Sequence, residues 1–228
     1  MNRVVAIVEG YAEQAFARDV LAPWLTARGV SISARLVGKP GHKGGVGEYR
    51  RAQRDILAML RQESAMVVTT MFDFYGMPES WPGRKKARNA SHAKKAATVE
   101  QAILDDVADQ MGPKFNRKRF LPYIQMHEFE ALLFSRPEMI GEVLSDATIA
   151  DDLRAIRDEF GTPEEIDDDP RTTPSKRIEQ LCPAYQKVLH GVIAAKRIGV
   201  EVIRHECPHF DEWLSALESL GQSRENQR

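Results

Sequence analysis

The sequence predicts an α/β domain, a mostly parallel sheet flanked by helices, and three observations carry that prediction. Apolar runs rich in β-branched residues appear at Val4-Val5-Ala6-Ile7-Val8 and Met66-Val67-Val68-Thr69-Thr70-Met71-Phe72, the pattern of strands buried on both faces. Stretches of helical apolar spacing separate the strand-like runs, as in repeated β-α units. Both runs end in an acid, Glu9 and Asp73. In an open parallel sheet that end is the carboxyl edge, where ligand crevices form.

Each element follows in turn. After the first strand, Ala12 to Arg28 reads as an amphipathic helix, with Phe16, Val20, Leu21 and Trp24 or Leu25 at near-helical spacing, a kink or break at Pro23 and a stop at Gly29. Ser31 to Val37 alternates, as a strand with one wetter face does. The loop Gly38 to Gly47 combines glycines with Lys39, His42 and Lys43. Its backbone amides and cations suit either phosphate contact or a plain surface loop, and its spacing matches neither the Walker loop nor the dinucleotide fingerprint. Tyr49 to Glu63 reads as a helix, followed by the strand that ends in Asp73.

Prolines and glycines exclude a regular element from Phe74 to Ala90. That loop mixes Tyr75 and Trp81 with Arg84, Lys85, Lys86 and Arg88, a composition suited to holding a sugar-phosphate backbone and stacking a base. The competing reading makes Trp81 a packed anchor. A helix from Ala93 to Met111 and a strand from Arg119 to Met126, made irregular by Pro122, lead to His127-Glu128-Phe129-Glu130-Ala131. Ala131 stands where a zinc-protease motif needs its second histidine, so these acids point to hard-cation chemistry.

Pro137 to Phe160 is helical in composition, and Gly161 to Pro174 is an acidic loop holding Glu164, Glu165, Asp167, Asp168 and Asp169. Its spacing lacks the calcium-loop pattern. Helices are expected from Ser175, over Val188 to Ile198, and through Trp213, Leu214 and Leu217. His205, Cys207 and His209 raise zinc, but Pro208 and the lack of a companion cluster favour capping and packing.

Composition bounds the rest. The chain has 228 residues, 43% apolar, with a formal charge of -1, so any nucleic-acid surface must be local. An α/β core over 1–135 and a mainly helical extension over 136–228, packed on it, account for the length. Cys182 and Cys207 alone give no disulfide framework, and no signal peptide or bilayer-spanning run is apparent, so a cytoplasmic protein is expected.

Three segments thus bring acids to one expected edge: Glu9 with Glu13, Asp73, and Glu128 or Glu130. Gathered carboxylates repel unless a cation holds them, and divalent ions bound this way assist phosphodiester cleavage.

Val8-Glu9-Gly10 with Glu13, and the strand ending in Asp73, resemble the Toprim domain, the Mg-binding fold of topoisomerases, primases and overcoming-lysogenization-defect nucleases. More narrowly, Phe72-Asp73-Phe74-Tyr75-Gly76, Trp81-Pro82-Gly83, the Tyr123 to Phe134 segment and Cys207-Pro208-His209-Phe210 resemble the Toprim-like family catalogued as domain of unknown function 4276, over nearly the whole chain. The resemblance implies a Mg- or Mn-dependent nuclease, with Glu9 as metal ligand and general base, Asp73 as second ligand and Glu13 in support. Tyr75 stands where a typical Toprim strand carries a second aspartate, so either Glu128 or Glu130 substitutes, or one ion is held weakly, or the site no longer cuts. Lys43, His127, Lys176 and Arg177 are the candidates for phosphate contact, joined by Arg84 and Lys85 from the basic loop. The resemblance also implies an ABC- or AAA-type ATPase partner in a defence-like pair, on DNA or RNA, and is compatible with a homo-oligomer. A non-catalytic Toprim-like subunit and a hydrolase of small phosphate esters are the competing readings.

Overall fold

The computed structural model describes residues 1–38, 47–166 and 171–222. Five strands form one sheet in which every pairing is parallel: β1 (Asn2–Val8), β2 (Val30–Leu36), β3 (Val67–Asp73), β4 (Phe120–Leu121) and β5 (Ile124–Gln125). The order is β2-β1-β3-β4, with β5 continuing beside β3. Register fixes the functional edge. Val8 pairs with Met71 and Asp73 with Gln125, so Glu9, Asp73 and the His127 segment all leave the sheet at its carboxyl end.

The expected strand from Arg119 to Met126 is split into β4 and β5, because Pro122 cannot donate to the ladder. Thr70 bridges the break. Its hydroxyl donates to the Tyr123 carbonyl and accepts from the Tyr123 amide, each at 2.9 Å and fully buried.

Helices cover both faces. Alternation along β1 sends Val5 and Ile7 to one side, where α3 (Tyr49–Gln62), α4 (Arg84–Ala87) and α5 (His92–Met111) supply Ile56, Leu60, Ala87, Val99 and Ile103. The turn of helix α4 corrects the expectation of no regular element from Phe74 to Ala90, since it starts only after the last glycine of that stretch, Gly83. Val4, Ala6 and Val8 face the other layer. There α1 (Tyr11–Phe16) runs through a π-helical turn at Ala17–Leu21 into α2 (Ala22–Thr26). At the kink or break expected near Pro23, a π turn precedes α2 and Pro23 lies in the first turn of α2.

The same layer holds α6 (Glu138–Leu144), α7 (Ile149–Asp158), α8 (Pro174–Leu181), α9 (Val192–Ile198), α10 (Val200–Glu206) and α11 (Pro208–Gln222). Ile178, Ile198, Ile203, Phe210 and Leu214 join the apolar cluster that contains Val4 and Val8. The helical stretch expected over Pro137 to Phe160 forms two helices, separated at Ser145, whose φ of 56° ends α6. No helix of the described residues is long and apolar enough to cross a membrane. Lys39, His42 and Lys43, the acids Asp167, Asp168 and Asp169, and the polar tail beyond Gln222 lie outside the described residues.

Thr70→Val keeps the shape but leaves the buried Tyr123 amide unsatisfied, and is expected to cost about 1–3 kcal/mol in urea unfolding. An unchanged midpoint would show that the β4–β5 break is held by other contacts.

Candidate metal centre

The site begins where β1 ends. Glu9 follows Val8, and its Oε2 accepts from the Asp73 backbone amide at 3.3 Å, tying the ends of β1 and β3 together. Glu13 lies one turn into α1, 2% exposed. A Cβ on Gly10 would meet Glu13 Oε2 at 2.8 Å, so glycine at that position lets the Glu13 carboxylate fold back toward Glu9.

Asp73 is 7% exposed, and its Oδ1 has no hydrogen-bond partner among the described residues. After β5 comes His127, buried and held at φ 61°, a left-handed conformation uncommon for a residue with a Cβ. The His127 carbonyl accepts from the Tyr75 amide at 2.9 Å, which prolongs the pairing past Asp73. A 3-10 helix, Phe129–Ser135, then carries Glu130 fully buried beneath the edge.

A cation from the C-terminal helices meets these acids. Lys187 Nζ lies 2.8 Å from Glu130 Oε2 and 3.7 Å from Asp73 Oδ2. Tyr185 donates its hydroxyl to Glu130 Oε1 at 3.2 Å. Gly191 makes room for that phenol, since a Cβ there would stand 2.7 Å from it. Lys187 opens a π-helical turn, Lys187–Gly191, a local geometry frequent at functional sites.

Glu9, Gly10, Tyr11, Ala12, Glu13, Asp73, Lys187 and Val188 line a cleft of about 190 Å³. Burial pushes the Asp73 carboxyl well up; Lys187 opposes the rise, and Glu13, Glu9 and Glu130 add to it. Burial likewise pushes Glu130 up to about 7 against the pull of Lys187. Burial would lower Lys187, but Glu130, Asp73 and Glu13 outweigh it and the ammonium is held charged.

The donor set is all carboxylate oxygen, suited to a hard divalent ion, and the unpartnered Asp73 Oδ1 is a buried acceptor that such an ion would satisfy. Among the described residues no three acidic, imidazole or thiol groups already stand at coordinating distance. The Lys187 ammonium occupies the space between Asp73 and Glu130, so loading an ion requires the side chains to adjust.

The other sequence candidates fall elsewhere. Glu128 Oε2 accepts from the Ser175 amide at 2.9 Å and caps α8 instead of facing the cleft. Lys176, exposed on α8, pairs with Glu179 at 2.5 Å. Arg177 donates to the Thr172 carbonyl and lies near the Phe160 ring. Arg84 sits over the Phe74 ring, with Lys85 exposed beside it on α4. His127, although buried at the edge, is not among the cleft residues. Trp81 is 2% exposed and donates to the Gly47 carbonyl, the packed-anchor alternative. Cys207 is buried against Ser135, and His209 bonds Glu100 at 2.8 Å, so these residues pack and cap. Lys43 lies outside the described residues.

Lys187 and Tyr185 escaped the sequence reading. Residues 185–187 sit in a polar stretch with no acid-ended strand to mark it, and only the folding of the C-terminal helices onto α1 brings them in.

Compared with known proteins, residues 8–218 match the family model described as domain of unknown function (DUF4276). Among solved structures, the C-terminal region of the Xanthomonas campestris pv. campestris OLD protein is similar at 15% identity, with 98% of each chain covered and a TM-score of 0.40. No curated protein matches.

Two outcomes follow from the cluster. Lys187→Met leaves buried acids uncompensated and is expected to cost about 2 kcal/mol in chelator. That is less than a fully buried pair would lose, because 38% of the Lys187 side chain is exposed. Thermal unfolding with and without Mn²⁺ reads it, and an unchanged midpoint contradicts the counter-charge role. Glu130 binds its proton more tightly folded than unfolded, so its contribution is complete below about 4.5 and is lost as pH rises through about 7. In chelator, wild type should therefore lose stability across that window more steeply than Glu130→Gln.

Proposed function

We propose, for a chain that belongs to the domain of unknown function (DUF4276) family, a phosphodiesterase acting on nucleic acid, DNA or RNA, with Mg²⁺ or Mn²⁺ held by Glu9, Glu13 and Asp73. The observation that carries this reading is the unpartnered buried Asp73 Oδ1 in a cleft that also receives Glu9 and Glu13 from the neighbouring β-α unit. When bound, the ion supplies Lewis acidity toward a phosphate oxygen and lowers the pKa of water.

The chain's own residues do the rest. Glu9, half-buried at the lip, accepts the proton of the attacking water. Water oxygen bonds to phosphorus as the bond to the leaving alkoxide breaks, and that alkoxide takes a proton from solvent. Asp73 and Glu13 fix the charge of the pocket, and Lys187 presents a permanent positive charge toward the anionic phosphate. Glu130 and Tyr185 hold Lys187 and its turn at the edge. In this reading the protein is the cytoplasmic effector of a defence-like pair, controlled by an ATPase of the ABC or AAA type.

One observation favours the second reading, a non-catalytic binding or regulatory subunit of such an ATPase. Lys187 already neutralises part of the acid cluster without any ion.

Glu9→Gln and Asp73→Asn are each expected to lower Mg²⁺- or Mn²⁺-dependent cleavage of plasmid, single-stranded DNA and transfer RNA by about 100-fold or more. Lys85→Ala should leave cleavage within about twofold. Cleavage that survives both acid substitutions would overturn the mechanism, and binding without cleavage under either metal would support the subunit reading.

A further inference from the structure

Five large apolar side chains are exposed among the described residues: Met1, Tyr11, Val188, Leu189 and Ile193. Scattered singly they would need no account, but four of the five lie on elements that pack together, and two of them line one cleft. Tyr11 opens α1, and Val188, Leu189 and Ile193 lie on the π turn and α9, which pack against α1. Leu189 and Ile193 are four residues apart, on one side of that helical segment. Tyr11 and Val188 also line the acid cleft itself, beside Glu9, Asp73 and Lys187.

Tyr11 is 54% exposed and is the one exposed aromatic side chain among the described residues. Of the two aromatics that the basic loop offered for stacking, Trp81 is spent in the core against Tyr49 and Phe72, and Tyr75 is half-buried and outside the cleft lining. Apart from Lys187, the side chains beside the acids in the described cleft lining are an aromatic ring and aliphatic methyls. Whatever phosphodiester enters must set its flanking nucleosides against that wall.

A duplex turns its base faces inward and presents phosphates and sugars, for which the described cleft lining offers Lys187 as its one cation. An unpaired strand offers open base faces, and a tyrosine ring takes any base. We infer that the cleft accepts phosphodiesters flanked by unpaired nucleotides, with Tyr11 stacking one adjoining base and Val188 with Leu189 supporting the next. The inference rests on the phosphodiesterase reading and gives that site its substrate class. Tyr11 is here a substrate-positioning residue that leaves the chemistry to the acids.

The test is binding, measured apart from cleavage. Fluorescence anisotropy of a labelled 12-nucleotide strand, single and in duplex, is followed with Ca²⁺ replacing Mg²⁺, and a second strand carries 2-aminopurine to report stacking. Wild type should bind the single strand at least about tenfold more tightly and quench 2-aminopurine. Tyr11→Ala should lose about tenfold on the single strand and lose the quench, with duplex binding unchanged, whereas Tyr11→Trp keeps both. Equal affinity for single strand and duplex, failure to bind either, or a Tyr11→Ala effect shared by both forms overturns the inference.

So does sedimentation showing that Tyr11→Ala turns a dimer into a monomer, because the rim would then be a contact between copies. Cleavage that depends on Glu9 and Asp73 but ignores strandedness sinks the inference alone. Stacking on Tyr11 without acid-dependent cleavage sinks the phosphodiesterase reading instead.

Discussion

Carboxylates crowded at the end of a parallel sheet and cut off from water repel one another, and the rest of the architecture answers to that repulsion. Glu9, Glu13 and Asp73 gather because the register of β1 against β3 ends both strands at one level. Glu130 is added from beneath by the 3-10 helix that follows His127. Burial without compensation would neutralise the acids or push the edge apart. The chain supplies its own compensation in Lys187, whose ammonium lies between Asp73 and Glu130.

That requirement gives the C-terminal helices a role beyond covering apolar surface. They close one face of the sheet around Val4, Ala6 and Val8, and the same packing brings Tyr185, Lys187 and Val188 onto the carboxyl edge. Two glycines set the tolerances. Gly10 lets Glu13 fold back beside Glu9, and Gly191 leaves space for the Tyr185 hydroxyl. A centre assembled this way depends on both halves of the chain, although its acids come from the first 130 residues. The pocket is then bounded by charge on its floor and by apolar side chains on its rim, a division that separates holding a phosphate from selecting what is attached to it.

Much of this was legible in the sequence, for identifiable reasons. Runs such as Val4 to Val8 and Val67 to Phe72 admit little besides buried strands, and acids that follow them belong at the carboxyl edge of a parallel sheet. The parallel α/β class and the pairing of Glu9 with Asp73 at one edge came from that logic. Harder to read were features decided by tertiary packing. Two acids two residues apart must point differently, but which of Glu128 and Glu130 joins the cluster is decided only by the fold, which sends Glu128 to the start of α8 and Glu130 to Lys187. Trp81 sits in a loop of surface composition and is nevertheless core. Lys187 carries no local signature, since its partners are contributed from more than 50 residues away.

The central claim is that these side chains together form a divalent-cation site, and calorimetric titration of Mn²⁺ into the purified protein addresses it most directly. The account predicts saturable binding to wild type that weakens at least about tenfold in both Glu9→Gln and Asp73→Asn, with folding intact by circular dichroism. Mn²⁺ binding that is indifferent to both substitutions, or no binding to the wild-type chain, would contradict it.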